Sequence, residues 1–132
     1  MRAFREAVEA HDLDAVVALL AEDVVFTSPV VFKPYTGRAV TGAILRAVAE
    51  VFEDFRYVRG IGDAGGRDHA LVFTARVGDR RIDGCDFLHL DEDGRIDELT
   101  VMVRPLSGAQ ALAAAMGARF ERIAREAGES PA

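Results

Sequence analysis

Asp86 interrupts the apolar stretch Cys85-Asp86-Phe87-Leu88-His89-Leu90, and it is the residue in this chain whose placement most suggests chemistry. Period-two alternation puts Gly84, Asp86, Leu88 and Leu90 on one face of a strand and Cys85, Phe87 and His89 on the other. If the first face lines a cavity, desolvation raises the pKa of Asp86 and favours the neutral acid, which can donate a hydrogen bond. If that face is filled, the carboxylate accepts instead from an arginine of a neighbouring strand, with Arg76, Arg81 and Arg104 as candidates. The two readings carry equal weight.

The other reactive groupings have plainer readings. Residues 60–65 read GIGDAG, the glycine spacing of a dinucleotide-binding turn, but that turn must pass into a helix and Asp68 to Val77 continue as strand, so a hairpin is expected. Asp91, Glu92, Asp93, Asp97 and Glu98 lack the ligand spacing of a calcium loop, and Gly94 suits a hairpin, so a solvated turn is expected. His11, His69 and His89 stand far apart, no metal is expected, and His89 is placed at a polar interface or in solvent. There is no Gly-x-Ser-x-Gly elbow, and Cys85, the single cysteine, reads as a small buried filler.

The elements that would position Asp86 follow from periodicity. Phe4, Ala7, Val8 and His11 form one helical stripe and Leu13, Val16, Val17 and Leu20 a second, with Asp12 placed to cap it. Val24 to Ser28 reads as a short strand ended by Pro29, followed by the apolar loop VVFKPYT over residues 30–36. Val40, Ile44, Ala47, Val48 and Val51 mark a third helix after Gly37. Turns at Gly65-Gly66, Gly78-Asp79 and residues 91–94 divide residues 55–104 into four consecutive antiparallel strands. Beyond Pro105, Ser107 and Gln110 form a capping-box pair ahead of a helix with Ala109, Leu112, Ala113, Met116, Phe120 and Ile123 on one face. Helices, then a meander, then a helix describe an α+β domain over residues 1–126, with residues 127–132 as a frayed tail.

The 132 residues allow one core, and 50% hydrophobic with 29% charged residues excludes a wholly disordered chain. A net charge of −6 argues against nucleic acid or an anionic membrane as partner. No apolar run is long enough to span a bilayer, the amino terminus lacks a secretory pattern, and a lone cysteine suits a reducing compartment, so a cytoplasmic protein is expected.

The stretches AHDLDAVVALLAEDVVF, SPVVFKPYTGRAV and CDFLHLDEDGRIDELTVMVRP resemble the nuclear transport factor 2-like superfamily, in particular its SnoaL-like branch. The resemblance implies a cone: a strongly curved antiparallel sheet around a deep pocket, closed by three N-terminal and middle helices and a C-terminal helix, commonly dimeric through the sheet's outer face. It implies no single activity, because isomerases, cyclases, epoxide hydrolases, dehydratases and pure binders share the fold.

Compared with ketosteroid isomerases, the chain has Ser28 where Asp-Pro-Val supplies the base, and Phe4 where a phenol binds the oxyanion. Asp86 matches the family's protonated aspartic acid, eight residues before the turn glycine Gly94. Arg81 and Asp83 resemble the Arg-x-Asp of limonene-type epoxide hydrolases, yet Val101 stands at the second Asp, a strand where polyketide cyclases also tend to carry an acid. The resemblance thus implies a cofactor-independent protein binding a small hydrophobic molecule, with Asp86 as acid if it is a cyclase, isomerase or dehydratase. The alternative is a non-catalytic binding or dimerising module. Strand parity and the apolar loop nominate Phe26, Ser28, Phe32, Tyr35, Tyr57, Phe73, Val101 and Met116 as pocket residues, each of which is individually ordinary core. Phe87, Met102 and Val72 on the outer face point to a homodimer.

Overall fold

The computed structural model describes residues 1–128. The chain opens with α1 (Arg2–Glu9) and α2 (Leu13–Ala18), and Asp12 caps α2 by accepting from Ala15 N at 3.1 Å, as its position requires. Strand β1 (Leu20–Thr27) is longer than the apolar alternation suggested, and the loop after Pro29 contains a two-residue strand, β2 (Tyr35–Thr36), paired back onto β1. Helix α3 (Arg38–Val51) buries Ile44, Ala47 and Val51 of its stripe.

The meander follows as β3 (Glu53–Ile61), β4 (Asp68–Val77), β5 (Arg80–Leu90) and β6 (Ile96–Arg104), its turns at the predicted glycines. GIGDAG is the end of β3 and the turn into β4, not a phosphate loop. The six strands are ordered β2-β1-β6-β5-β4-β3 in one curved, unclosed sheet. All pairings of the meander are antiparallel, whereas β1 lies parallel to β6. That parallel contact is possible because α3 and four strands separate the two segments, leaving room for the crossover that parallel neighbours need. Register shifts in β1, β3 and at His89/Leu90 supply the bulges that bend such a sheet.

The C-terminal helical stripe is broken into α4 (Leu106–Gly117) and α5 (Phe120–Glu126). Helix α4 starts at Pro105 with no side-chain cap, so Ser107 falls inside the first turn and the capping-box pair does not form. The break at Ala118 and Arg119 leaves Phe120 55% exposed, while Leu112 and Ile123 remain buried. Of the segment expected to fray, Ala127 and Gly128 close the last turn by backbone bonds to Ile123 and Arg125, and residues 129–132 lie outside the described part.

Close approach sets the layers. A Cβ on Gly84 would lie 2.2 Å from Cζ of Phe73, its cross-strand partner, so the Phe73 ring occupies the space that any other residue at 84 would fill. Likewise a Cβ on Gly108 would meet Ile82 Cγ2 at 2.4 Å, which lets α4 settle directly on β5.

Candidate functional site

Asp86 points to the concave side of β5, with Leu71 of β4 and Val101 of β6 as its cross-strand neighbours. It is 8% exposed, and Oδ2 accepts a hydrogen bond from the hydroxyl of Tyr57 at 2.6 Å. None of the three arginines reaches it. Arg104 pairs with Asp83 at 2.9 Å, Arg76 pairs with Glu53 and Asp54, and Arg81 is exposed. All three share the parity of outward-facing positions, Arg76 next to inward Ala75 and Val77, Arg81 next to inward Ile82, and Arg104 next to Val103. In the observed register all three therefore face away from Asp86, and the arginine-paired reading does not hold.

Burial raises the pKa of Asp86 to about 6, and the hydrogen bond from Tyr57 holds it below what burial alone would produce. The shift has the upward direction expected of a carboxyl on an apolar face, and both protonation states are populated near neutral pH. The phenol is pushed strongly upward, first by burial and then by the adjacent carboxylate, so Tyr57 keeps its proton and remains the donor.

Tyr57 and Asp86 lie on the wall of a cavity between the sheet, α1, α2, α3 and α4 that holds about 120 Å³. By the same kind of measure one water needs roughly 10–15 Å³, so the space suits an organic molecule. Its lining is overwhelmingly apolar, with Ser28 and His11 as the remaining polar side chains besides the Tyr57–Asp86 pair. Ser28 Oγ accepts from Val30 N at 3.1 Å, which shapes the turn at the wall.

Of the residues nominated from sequence, Phe26, Ser28, Tyr57, Asp86, Val101 and Met116 come together on this wall. Three do not. Phe32 is 98% exposed at the tip of the loop, because only Pro29 and Val30 of that segment turn inward. Tyr35 leaves the wall through the β1–β2 pairing, which sets its ring beside Phe26 at 6.4 Å. Phe73 faces inward, but it sinks against Gly84 and lies behind Phe52 and Phe55, which cover it and line the cavity in its place. Sequence reading missed Phe52 and Phe55, which lie at the α3–β3 junction where periodicity changes, and His11, which had been part of a helical stripe.

On the convex side, Cys85 is half-exposed rather than buried. His89 is half-buried, its Nδ1 2.6 Å from Oδ1 of Asp97 and 4.0 Å from Oε2 of Glu98, and these are the metal-type donors that gather within 4.8 Å among the described residues. The Asp97 hydrogen bond raises the His89 pKa, which favours the charged imidazolium beside the two carboxylates. Asp91 alone of the acidic run organises the turn, accepting from Asp93 N and Arg95 N.

The family model for the SnoaL-like domain matches residues 1–99. The chain belongs to the SnoaL-like family. Among solved structures, this SnoaL-like chain is 46% identical to a steroid delta-isomerase of Pseudomonas aeruginosa, over 89% of this chain and 85% of that one, with a TM-score of 0.83. It is 40% identical to an uncharacterised protein of Silicibacter pomeroyi with a cystatin-like fold, over 94% and 86% of the two chains, with a TM-score of 0.88. A putative polyketide cyclase of Pseudomonas putida shares the fold at 20% identity and a TM-score of 0.67, over 81% and 90%. No curated protein matches. These neighbours and the observed sheet place the chain in the nuclear transport factor 2-like superfamily. Phe4, 2% exposed, and Val101 both stand on the cavity wall, so the positions where the resemblance would put a phenol and a second acid present hydrocarbon.

Proposed function

We propose that this SnoaL-like protein binds a small, largely hydrophobic organic molecule in the cavity and sets one oxygen of that molecule against Asp86. The observation that carries this reading is a buried carboxyl, hydrogen-bonded to a buried phenol and to no cation, on the wall of an otherwise apolar cavity. Such a carboxyl is costly to bury without a purpose, and Tyr57 orients it by occupying Oδ2. A neutral Asp86 donates to a ligand carbonyl, and an ionised one accepts from a ligand hydroxyl or takes its proton. A pKa of about 6 keeps both forms accessible near neutral pH. This suits a cofactor-independent isomerase, cyclase or dehydratase step in which Asp86 serves as acid.

Phe4, Ser28 and Val101 favour a second reading, binding without turnover, because each removes a group that catalysis would use beside Asp86. The experiment is native mass spectrometry of the purified protein to find a retained ligand, repeated on Asp86→Asn. A ligand of defined mass that weakens in the variant supports the site; its conversion to a product of altered mass or, for an isomer, of altered chromatographic retention would support the enzyme over the binder. No ligand in either, and no thermal shift with hydrophobic carbonyl compounds, would remove the reading.

The protein is further proposed to be a homodimer through the convex sheet face, where Phe87 and Met102 are 42% and 58% exposed beside Val72. A single half-exposed thiol suits a reducing compartment such as the cytoplasm, and among the described residues no helix is long and apolar enough to cross a membrane.

A further inference from the structure

Helix α1 ends in a Schellman turn: Asp12 N bonds to Ala7 O at 2.9 Å and His11 N to Val8 O at 3.0 Å. The residue at the centre of such a turn adopts the left-handed conformation, and glycine is the usual occupant because it has no Cβ. Here the position is held by His11, at φ +56°. Histidine tolerates this conformation less readily than glycine, so what its side chain reaches bears on why it stands here.

That side chain lies where the apolar cavity opens. His11 lines the cavity that contains Asp86 and also the adjoining outer cleft bordered by Asp12, Arg46, Glu50 and Arg122, and it is exposed whereas Asp86 is buried. The ring hydrogen bonds of the chain's histidines belong to His69 and His89, and among the described residues His11 makes none. The cavity therefore has a polar floor, Asp86 with Tyr57, and an uncommitted polar side chain at its mouth, joined by hydrocarbon.

We propose that His11 is a ligand-contacting residue that selects elongated molecules with an apolar body and a hydrogen-bonding oxygen at each end, the inner one at Asp86 and the outer one at the His11 imidazole. This rests on the reading of the cavity as a ligand site and names the class of molecule it takes.

The test uses two fluorescent probes of one shape, β-naphthol and the naphthalenediol that carries hydroxyls at its opposite ends, titrated into the whole protein. The wild type should bind the diol about five- to tenfold more tightly, the worth of one hydrogen bond. His11→Gly should weaken the diol more than β-naphthol, cutting the preference to about the twofold that two equivalent hydroxyls give, and it should raise the melting temperature, because glycine suits φ +56°. His11→Asn, which tolerates the same backbone and keeps a polar side chain, should restore part of the preference. A diol preference that persists undiminished in His11→Gly, or that is absent in a wild type that binds both probes, overturns the role of His11 alone. Failure of both probes to bind the wild type overturns the ligand site and this proposal together.

Discussion

The hydroxyl of Tyr57 stands 2.6 Å from Oδ2 of Asp86 although their strands, β3 and β5, are not neighbours. Tyr57 faces Phe73 across β3 and β4, and Phe73 in turn faces Gly84 across β4 and β5. The phenol therefore reaches over β4 to a carboxyl two strands away, and the empty Cβ position at Gly84 accommodates the Phe73 ring beneath this contact.

Stability should fall as pH rises through the range set by Asp86. Its pKa is raised from 3.8 to about 6 on folding, so the folded state holds the proton more tightly. The stabilisation is complete below about pH 4 and is lost between there and about pH 6, a change of roughly 3 kcal/mol. Asp86→Asn keeps an acceptor for Tyr57 and cannot ionise. Urea denaturation at about pH 4 and about pH 7.5 should show the variant gaining on the wild type by that amount; a pH-independent difference would contradict the buried acid.

Tyr57→Phe should destabilise the protein by about 1–3 kcal/mol at pH 7, the cost of leaving a buried carboxylate without its donor. The loss should shrink below about pH 4, where Asp86 is neutral in either state. Carbon NMR titration should place the Asp86 pKa of the variant above the wild-type value of about 6, because the lowering contribution of the hydrogen bond is gone. An unchanged titration would mean that the pair is not coupled in solution.

Gly84→Ala tests the packing behind the cavity wall. The new methyl would meet three atoms of the Phe73 ring between 2.2 and 2.8 Å, and the ring is hemmed in by Phe52 and Phe55. A loss of about 1–3 kcal/mol is expected from the forced shift. The double change Gly84→Ala with Phe73→Leu should recover part of it, which chemical denaturation reads directly.

The protein should not isomerise ketosteroids at enzyme-like rates, despite 46% identity to a chain described as a steroid delta-isomerase. Ser28, whose hydroxyl is far too weak a base, stands at the base position, and Phe4 offers no donor to an oxyanion, a loss worth on the order of 100- to 1000-fold. Appearance of the conjugated enone, followed by absorbance, should require Ser28→Asp together with Phe4→Tyr. Turnover by the unmodified protein would show that the residue matching is wrong.

Light scattering on a sizing column should give twice 14.3 kDa. Met102→Glu, which puts a charge on the exposed convex face, should shift the population towards monomer. A wild-type monomer at micromolar concentration would instead leave that face unpaired.

Local pattern by itself determined the first three helices, the four strands of the meander and the faces of those strands. Alternation in residues 84–90 put Asp86 inward and Phe87 outward, Asp12 marked the start of α2, and the glycine turns cut the meander into its four strands. These are short-range consequences of backbone geometry, and they appear in any window long enough to show a period. The strand register then turned Arg76, Arg81 and Arg104 to the other face, away from Asp86. What faces Asp86 was a different kind of question. The Tyr57 contact spans 29 residues and two strand pairings, the parallel β1–β6 pairing depends on a crossover, and Phe73 left the cavity because its ring fell into the space at Gly84. Phe52 and Phe55 then took its place on the wall, and His11 left the helical stripe because the Schellman turn redirected its side chain. Tertiary structure alone decided these points, because long-range packing and sheet curvature fix which inward residues meet, whereas a strand's sequence records only which way each one points.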